Sequence, residues 1–201
     1  MLAKNEIKYY AKMAADSFAD DPLYTALVRN KFIRKRFIYN FMYLRFHLSN
    51  GKDIFIEDKD KRGLCIWKSA KSEFGIKEAF SCPKIFNLLF YLPIVIKLEK
   101  AFSNADMSVF PENTLLLSPV FVDKKFQGKG IAKSLIENKA NELIESGYTL
   151  GLETQNKMNV EIYSKLGFRL VKTEQYMNGK ITNYLMIYSQ KQNLINAINF
   201  L

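Results

Sequence analysis

The chain is poor in the residues that most often bind metals or form disulfides. Its 201 residues include two cysteines, Cys65 and Cys82, and a single histidine, His47. These residues cannot supply a conventional Cys/His zinc site, and two cysteines are too few for a disulfide scaffold. We therefore expect no metal, and we interpret both cysteines as reduced thiols of a cytoplasmic protein.

The sequence also lacks a long hydrophobic run. The strongest one, Ile85–Ile96, is too short to span a bilayer and contains Asn87 and Pro93. Charged residues among the first eight positions interrupt any early apolar stretch, so we expect no signal peptide. These features predict a cytoplasmic protein that does not associate with membranes.

No repeat, low-complexity tract or linker divides the chain, and its length suits one domain with a substantial core. We therefore predict a single domain over residues 1–201. The formal net charge of +10 favours an anionic ligand. Four lysines crowd positions 124–133, whereas the other positive charges are scattered, so we expect no nucleic-acid partner.

Apolar periodicity and turn residues predict the elements of the first half. Helices are expected over residues 5–19 and 30–48, and Asp20-Asp21-Pro22 interrupts the chain between them, with Pro22 opening a short further helix. Two strands, 53–57 and 63–68, flank a polar turn. Residues 73–103 are predicted to be helical with breaks at Pro83 and Pro93.

The second half alternates between strand and helix patterns. The predicted order is strand 115–122, helix 131–144 ended by Gly147, strand 148–153, and a short helix that carries Asn159 and Tyr163 and ends at Gly167. Strands 168–172 and 181–188 then form a hairpin around Asn178-Gly179. This pattern predicts a mixed sheet flanked by helices.

A glycine loop joins strand 115–122 to the helix that begins at Ile131. The first amides of a helix have no internal partners, and Gly128 and Gly130 let the backbone approach an anion closely. A Walker A loop would need glycine at position 132 and a Rossmann fingerprint would need it at 133, but these positions hold Ala132 and Lys133. The remaining alternative to a phosphate loop is a purely structural turn.

Two segments together resemble the GNAT acetyltransferase superfamily. Its pyrophosphate loop, Q/R-x-x-G-x-G/A, is matched by Gln127, Gly130 and Ala132. Its downstream signature, an Asn, a Tyr four residues later and then Gly-Phe, is matched by residues 159–168. The resemblance implies an α/β (α+β) fold, in which helices flank a mixed, mostly antiparallel central sheet with splayed central parallel strands. It assigns residues 112–188 to acetyl-CoA and residues 1–111 to the variable acceptor side. This chain departs from the family in one respect: it enters a helix almost at once, so we expect the family's first strand to be missing or very short.

The resemblance also implies where the cofactor lies. The pantetheine arm is expected between strands 115–122 and 148–154, where Pro119 suits a bulge or a splay. The expected cofactor-binding residues are Val120, Phe121, Val122, Gln127, Gly128, Lys129, Gly130, Ile131, Ala132, Asn159 and Tyr163. Lys129 and Lys133 are alternatively solvated surface lysines, and Asn159 alternatively serves only the start of its helix.

Tyr163 matches the family's general acid, because a phenol with a pKa of about 10 can pass a proton to a departing thiolate. The alternative is a tyrosine that only packs on the cofactor. Glu153, at the end of the second splayed strand, is the first candidate for the general base, and Glu112 is the second. Both carboxylates are alternatively surface or structural residues.

The expected function is acetyl-CoA-dependent transfer of an acetyl group to a primary amine, without a metal and by direct transfer. The acceptor is a small molecule or a protein amine that the sequence does not identify, and a homodimer is left open. The alternative is a catalytically silent acyl-CoA-binding or regulatory module with the same fold.

Overall fold

The computed structural model describes residues 1–70, 80–82, 84–102 and 106–189. Its helices are α1 (Lys4–Ser17), α2 (Pro22–Leu27), α3 (Lys31–Ser49), α4 (Ile85–Leu89), α5 (Leu92–Phe102), α6 (Ile131–Glu145) and α7 (Lys157–Lys165). Its strands are β1 (Ile54–Glu57), β2 (Gly63–Ser69), β3 (Thr114–Val122), β4 (Thr149–Thr154), β5 (Phe168–Tyr176) and β6 (Ile181–Tyr188). Most predicted elements lie within one or two residues of these bounds, although the prediction ended β5 too early.

The six strands form one sheet in the order β1-β2-β3-β4-β6-β5. β3 and β4 are parallel and are joined through α6, whereas every other neighbouring pair in the described sheet is antiparallel. Residues 1–3 form no strand, and the described chain enters α1 directly. The sheet and its flanking helices confirm the predicted fold class.

The sheet separates two hydrophobic cores because side chains alternate along each strand. Leu64 and Ile66 of β2 face the core that α1–α3 cover, whereas Cys65 and Trp67 face the core that α6 covers. Helices α1–α3 thus lie on one face of the sheet and α6 lies on the other. The cavity described below opens on the side of α2, α3 and α5.

The helix break predicted at Pro93 is present, although it lies just before the proline. Proline at the second position of a helix loses no internal hydrogen bond, so Pro93 lies in the first turn of α5, and the interruption precedes it between Leu89 and Leu92. Pro83, together with 73–79 and 103 of the predicted helical region, lies outside the described residues. Among the described residues, no helix has the length and apolar character needed to cross a membrane.

Candidate active site

The two parallel strands part in the middle of the sheet. β3 and β4 pair from Thr114 with Thr149 to Leu117 with Leu152, and beyond these residues both strands continue without pairing to each other. On its other edge β3 stays paired with β2, with a register shift that places Ser118 and Pro119 at a bulge. The predicted splay and the irregularity at Pro119 are therefore both present.

The backbone of β3 faces the gap at alternate residues. Phe121 pairs with Leu64, so Val120 and Val122 point their amide and carbonyl groups away from β2. The carbonyl of Val122 accepts hydrogen bonds from Ser17 Oγ at 2.9 Å and from Gln127 Nε2 at 3.0 Å. The backbone amide and carbonyl of Val120 and the amide of Val122 can therefore pair with an extended ligand, as they would with a neighbouring strand.

This arrangement corrects one predicted cofactor contact. The ring of Phe121 packs in the core under α1–α3 and its backbone faces β2, so Phe121 presents no group to the gap. The side chain of Gln127 anchors the loop to the end of β3, so the predicted phosphate contact of Gln127 depends on its backbone amide.

The glycine loop has the geometry of an anion site. Gly128 and Gly130 both have φ of 77°, in the left-handed region that favours glycine, and a Cβ added to either would meet no atom within 4 Å. The first helical hydrogen bond of α6 runs from Ser134 N to the Gly130 carbonyl at 3.0 Å. The amides of Ile131, Ala132 and Lys133 therefore lack helical partners and can bind a phosphate.

The lysines near the loop already have partners. Lys124 forms an ion pair with Asp20 at 3.1 Å, and Lys133 lies 3.8 Å from Glu137, one turn further along α6. The ammonium of Lys129 lies 5.3 Å from the centre of the Phe126 ring. These contacts leave both predicted roles of Lys129 and Lys133 open, since exposed ion pairs are weak and exchange readily.

Asn159 is tied to the end of β4. Its side-chain amide donates to Thr154 Oγ1 at 3.3 Å, while Asn156 caps α7 by accepting from the Met158 amide at 3.0 Å. Asn156 is therefore the N-cap and Asn159 lies in the first turn of α7, so both alternatives for Asn159 stay open. The carbonyl oxygen of the Asn159 side chain has no partner among the described residues, and Asn159 lines the cavity.

Tyr163 lies one turn after Asn159 on the same face of α7 and lines the same cavity. Its ring meets Phe168 edge to face, with ring centroids 5.8 Å apart. Burial, reinforced by the negative charge of Asp21, raises the pKa of Tyr163 above the ordinary tyrosine value. Because its pKa is raised, the hydroxyl is protonated at neutral pH. It has no hydrogen-bond partner among the described residues, so it is available to a ligand.

The gap opens into a cavity of about 520 Å³. One wall is formed by the bulge of β3, the end of β4 and the α7 residues Asn159 and Tyr163. The opposite wall comes from α2, α3 and α5 and is mainly apolar, with Leu23, Tyr24, Phe41, Met42, Val95 and Leu98. The cavity is therefore bounded by sheet on one side and by helices on the other. For the roles proposed below, the cofactor side is the gap between β3 and β4 with Asn159 and Tyr163, and the acceptor side is the helical wall together with Arg45, Lys68 and Glu153.

Glu153 lines this cavity beside two cations, Arg45 of α3 and Lys68 of β2. Its Oε2 accepts a hydrogen bond from Asn183 Nδ2 at 2.9 Å, which leaves Oε1 without a partner among the described residues. Burial raises the pKa of Glu153, although the Asn183 hydrogen bond and the charges of Lys68 and Arg45 oppose that rise. A carboxylate of raised pKa is a stronger base than an exposed one.

Asn183 holds Glu153 from the fully buried side of β6. Its amide also donates to the Tyr176 hydroxyl at 2.9 Å, and its Oδ1 accepts from Gln155 Nε2 at 2.6 Å. Both amide hydrogens are thus committed, so Asn183 is held in the orientation that donates to Glu153.

Glu112 is not at the site. It lies in the exposed turn before Thr114, where β3 begins, whereas the cavity lies beyond Leu117. Thr114 and Ser118 lie four residues apart along β3, a distance of about 13 Å, and Glu112 lies in the turn that precedes Thr114. The second candidate for the general base is therefore wrong.

Sequence reasoning missed Arg45, Lys68 and Asp21. Arg45 Nη2 donates to the carbonyl and the hydroxyl of Ser118, both at 2.8 Å, and so satisfies the backbone where β3 leaves β4. Asp21 caps α2 by accepting from the Leu23 amide at 3.0 Å. The sequence offered only a weak signal for Arg45, which is a single arginine between Tyr43 and Phe46 in the aromatic stretch of α3.

Comparisons with known proteins agree with this geometry. A family model described as "Acetyltransferase (GNAT) domain" matches residues 107–186. No curated protein matches the chain in sequence. Among the described residues, no cluster of three or more His, Cys, Asp or Glu side chains could hold a metal ion.

Solved structures include two with similar folds over nearly the whole chain. One is described as histone acetyltransferase HPA2 and related acetyltransferase from Corynebacterium glutamicum, with 12% identity, 94% of each chain covered and a TM-score of 0.61. The other is the PaiA N-acetyltransferase from Thermoplasma acidophilum in complex with coenzyme A, with 14% identity, 94% of this chain and 96% of that chain covered, and a TM-score of 0.55. At these identities the likeness shows the fold alone.

A third solved structure aligns over a shorter region. It is the ribosomal-protein-S18-alanine N-acetyltransferase from Escherichia coli, 25% identical over 38% of this chain, with a TM-score of 0.34. The match spans 54%, about half, of that protein's length. Residues 107–186 therefore match an acetyltransferase (GNAT) domain, and the six-stranded sheet with its splayed parallel pair has the GNAT fold.

Proposed function

We propose that this protein transfers an acetyl group from acetyl-CoA to a primary amine without a covalent enzyme intermediate. One observation carries the proposal: Tyr163 and Glu153 line the same cavity, at the point where β3 and β4 part and Val120 turns its backbone toward the gap. An acid, a base and backbone donors thus surround one volume. The cysteines offer no nucleophile there, because Cys65 and Cys82 are buried outside the cavity lining and burial raises the pKa of both thiols.

The residues present fit acetyl-CoA. The amides at the start of α6 would hold the pyrophosphate, and Gly128 and Gly130 leave open space on their side of the loop. Val120 would pair with the pantetheine arm, and the Asn159 side-chain carbonyl would accept from one of its amides. An amide of β3 at the gap would donate to the thioester carbonyl and stabilise the negative charge that develops on its oxygen.

The transfer then needs two proton movements. Glu153 takes a proton from the ammonium group of the acceptor, so that the amine nitrogen has a free electron pair. That nitrogen forms a bond to the acetyl carbon as the carbon–sulfur bond breaks, and the sulfur receives the phenolic proton of Tyr163 to leave as a free thiol. Two protons leave the acceptor nitrogen in all: Glu153 takes one before the attack, and the new amide nitrogen loses the other after it. One of these protons restores the phenol of Tyr163, and the other passes to solvent.

Two measurements test the proposal. Calorimetry should show that the protein binds acetyl-CoA, and an assay for free thiol should show its release only when a suitable amine is added. A panel of polyamines, amino acids, aminoglycosides and peptides would find the acceptor class. Tight binding of acetyl-CoA without thiol release for any amine would support the silent-module alternative, and absence of binding would contradict the cofactor assignment.

The same proposal includes three broader expectations, which stay predictions. The acceptor is an amine-bearing small molecule or protein, the protein has no nucleic-acid or membrane partner, and its location is cytoplasmic.

A further inference from the structure

The acceptor side of the cavity contains two cations that the transfer reaction itself does not require. Arg45 and Lys68 line the cavity together with Glu153, and they come from α3, β2 and β4 respectively. Among the described residues neither cation forms a salt bridge, so the three charged groups are near one another without being paired. A space between unpaired opposite charges can accept a ligand that carries both.

Arg45 retains free hydrogen-bond donors. Its Nη2 serves Ser118, but Nε and Nη1 have no partner among the described residues. A guanidinium offers its donors as a planar fork that matches the two oxygens of a carboxylate. Arg45 is therefore fixed in place through one nitrogen and is open to an anionic group through the others.

Lys68 is the second cation at this position. Burial and the nearby charge of Arg45 lower the pKa of Lys68 to about 8, against the opposing charges of Glu153 and Asp53. Burial also lowers the pKa of Arg45, opposed by Tyr24, Asp53 and Glu153. A buried charge without a partner is costly, so a carboxylate placed between Arg45 and Lys68 would stabilise both.

The other carboxylates of the lining do not form a second cation site. Asp21 is half-buried and already accepts from the backbone at the start of α2, and Glu99 of α5 is exposed at the rim. Of the carboxylates that line the cavity, Glu153 is therefore the one whose charge acts on both cations, while Asp53 acts on both from outside the lining. A polyamine, which carries several positive charges and no negative one, would meet Arg45 and Lys68 unfavourably.

The remaining wall is apolar. Leu23, Tyr24, Phe41, Met42, Val95 and Leu98 come from the helical side of the cavity, opposite the gap that would hold the pantetheine arm. Burial of an apolar group against them would favour binding in proportion to the apolar surface removed from water. The wall therefore favours a hydrocarbon substituent next to the charged groups.

We infer that the acceptor is a free amino acid with an apolar side chain, whose amine faces Glu153 and whose carboxylate lies between Arg45 and Lys68. Its side chain contacts the helical wall. This inference rests on the proposed acetyl transfer and names its substrate class. The product would be the N-acetylated amino acid, with the proton balance given above.

Three matched acceptors test it: L-leucine, L-leucinamide and 3-methylbutylamine, with spermidine as a fourth probe. Hydrogen bonds to charged groups contribute about 1.5–3 kcal/mol, so kcat/KM for leucine should exceed that for leucinamide on the order of 10- to 100-fold. Amine basicity predicts the opposite order, because the α-amine of an amide, with a pKa of about 7.7–8.0, is more readily deprotonated than that of the free amino acid. Leucinamide is therefore the decisive comparison.

Variants locate the recognition. Lys68→Met keeps the length of the side chain and removes its charge, so it should bring the leucine to leucinamide ratio close to one mainly by raising KM for leucine. Arg45→Lys, which keeps a charge at the bulge, should lower the same ratio severalfold. Lys8→Met, a matched change at an exposed position of α1, should leave the ratio as in the wild type.

Several results would overturn the inference while leaving acetyl transfer intact. These are turnover of leucinamide, 3-methylbutylamine or spermidine at least equal to that of leucine, no turnover of the three matched acceptors, or a leucine preference unchanged in Lys68→Met. An equal fall in kcat/KM for all acceptors in Lys68→Met would show that Lys68 has only a structural role, and this result would also contradict the inference. Failure to release thiol with any amine would instead overturn both this inference and the proposed function.

Discussion

The two sides of the cavity are built from different parts of the polypeptide. The cofactor side presents mainly backbone: the groups of Val120 in the gap, and the amides at the start of α6 beyond Gly130. The acceptor side presents side chains, with Arg45, Lys68 and Glu153 next to an apolar helical wall. Backbone recognition suits a cosubstrate with a constant structure, whereas side chains can change without altering the sheet.

This difference predicts unequal responses to substitution. On the cofactor side most side-chain changes should matter little, except where a new side chain enters the space of the ligand. On the acceptor side single substitutions should change which amine reacts while the binding of acetyl-CoA persists. The predictions below test that contrast, beginning with the largest expected effect.

The first prediction concerns the loop. Gly130→Asp should abolish measurable binding of acetyl-CoA, because its carboxylate would lie beside the amides that hold the phosphates. The matched control is Gly130→Asn, since asparagine has the same shape, no charge, and tolerates the left-handed backbone that φ of 77° requires. Calorimetry should show that the asparagine variant retains binding within about 5- to 30-fold, the most that a strain of 1–2 kcal/mol can remove. Equal losses in both folded variants would contradict a charge-based role for the loop.

The second prediction concerns Tyr163. Tyr163→Phe should lower kcat on the order of 10²-fold, because it removes the proton donor to the leaving sulfur. The affinity for acetyl-CoA should change little, because the ring still packs against Phe168. The structure adds a pH expectation: with a raised pKa, Tyr163 stays protonated through neutral and mildly basic pH and should produce no loss of rate there.

Rate profiles against pH at saturating acetyl-CoA would separate this role from simple packing. If Tyr163 only packs against the cofactor, the phenylalanine variant should turn over normally and only Tyr163→Ala should be impaired. Wild-type kcat in Tyr163→Phe would remove Tyr163 from the catalytic residues.

The cofactor side was predictable because backbone requirements leave local marks in the sequence. A left-handed backbone at positions 128 and 130 needs glycine, and the turn of α7 that follows Asn159 places Tyr163 four residues later. These residues lie within short segments of the sequence, so their pattern and spacing can be recognised without the structure. The splay itself was indicated by Pro119, which cannot donate to a regular ladder.

The acceptor side was not predictable in the same way. Arg45, Lys68 and Glu153 come from three elements that only the sheet topology brings together, and no short segment contains two of them. Glu112 was misassigned because sequence distance from β3 does not tell which end of the strand opens into the cavity. Phe121 was misassigned because alternate residues of one strand face opposite sides.

The third prediction concerns Glu153. Glu153→Gln should lower kcat/KM on the order of 10²-fold near neutral pH, because the amide cannot take the amine proton. The glutamine can still accept from Asn183, so the fold should be retained, and circular dichroism would verify this. In the wild type, burial should place the acid limb of the pH profile above the ordinary glutamate pKa, and the rate should fall as the pH drops through that limb.

Asn183→Leu sharpens the same prediction. Loss of a hydrogen bond that favours the charged form should raise the pKa of Glu153 further and move the acid limb to higher pH. An acid limb that is identical in wild type, Glu153→Gln and Asn183→Leu would contradict the assignment of Glu153 as the base.

The last and smallest expected effect concerns Lys68 and the pH dependence of acceptor binding. The pKa of Lys68 is lowered to about 8, so its ammonium is charged below that pH and loses its proton as the pH rises through it. A carboxylate-bearing acceptor then loses one of its two cations, and KM for leucine should rise severalfold between pH 7 and 9. KM for leucinamide should not show this rise, because its neutral amide does not depend on Lys68. Arg45 stays charged throughout and preserves part of the binding, which limits the effect. Steady-state measurements on wild type and Lys68→Met would decide the matter: the variant should lack the rise for leucine, and a rise of equal size in both proteins would assign it to the acceptor amine or to another group.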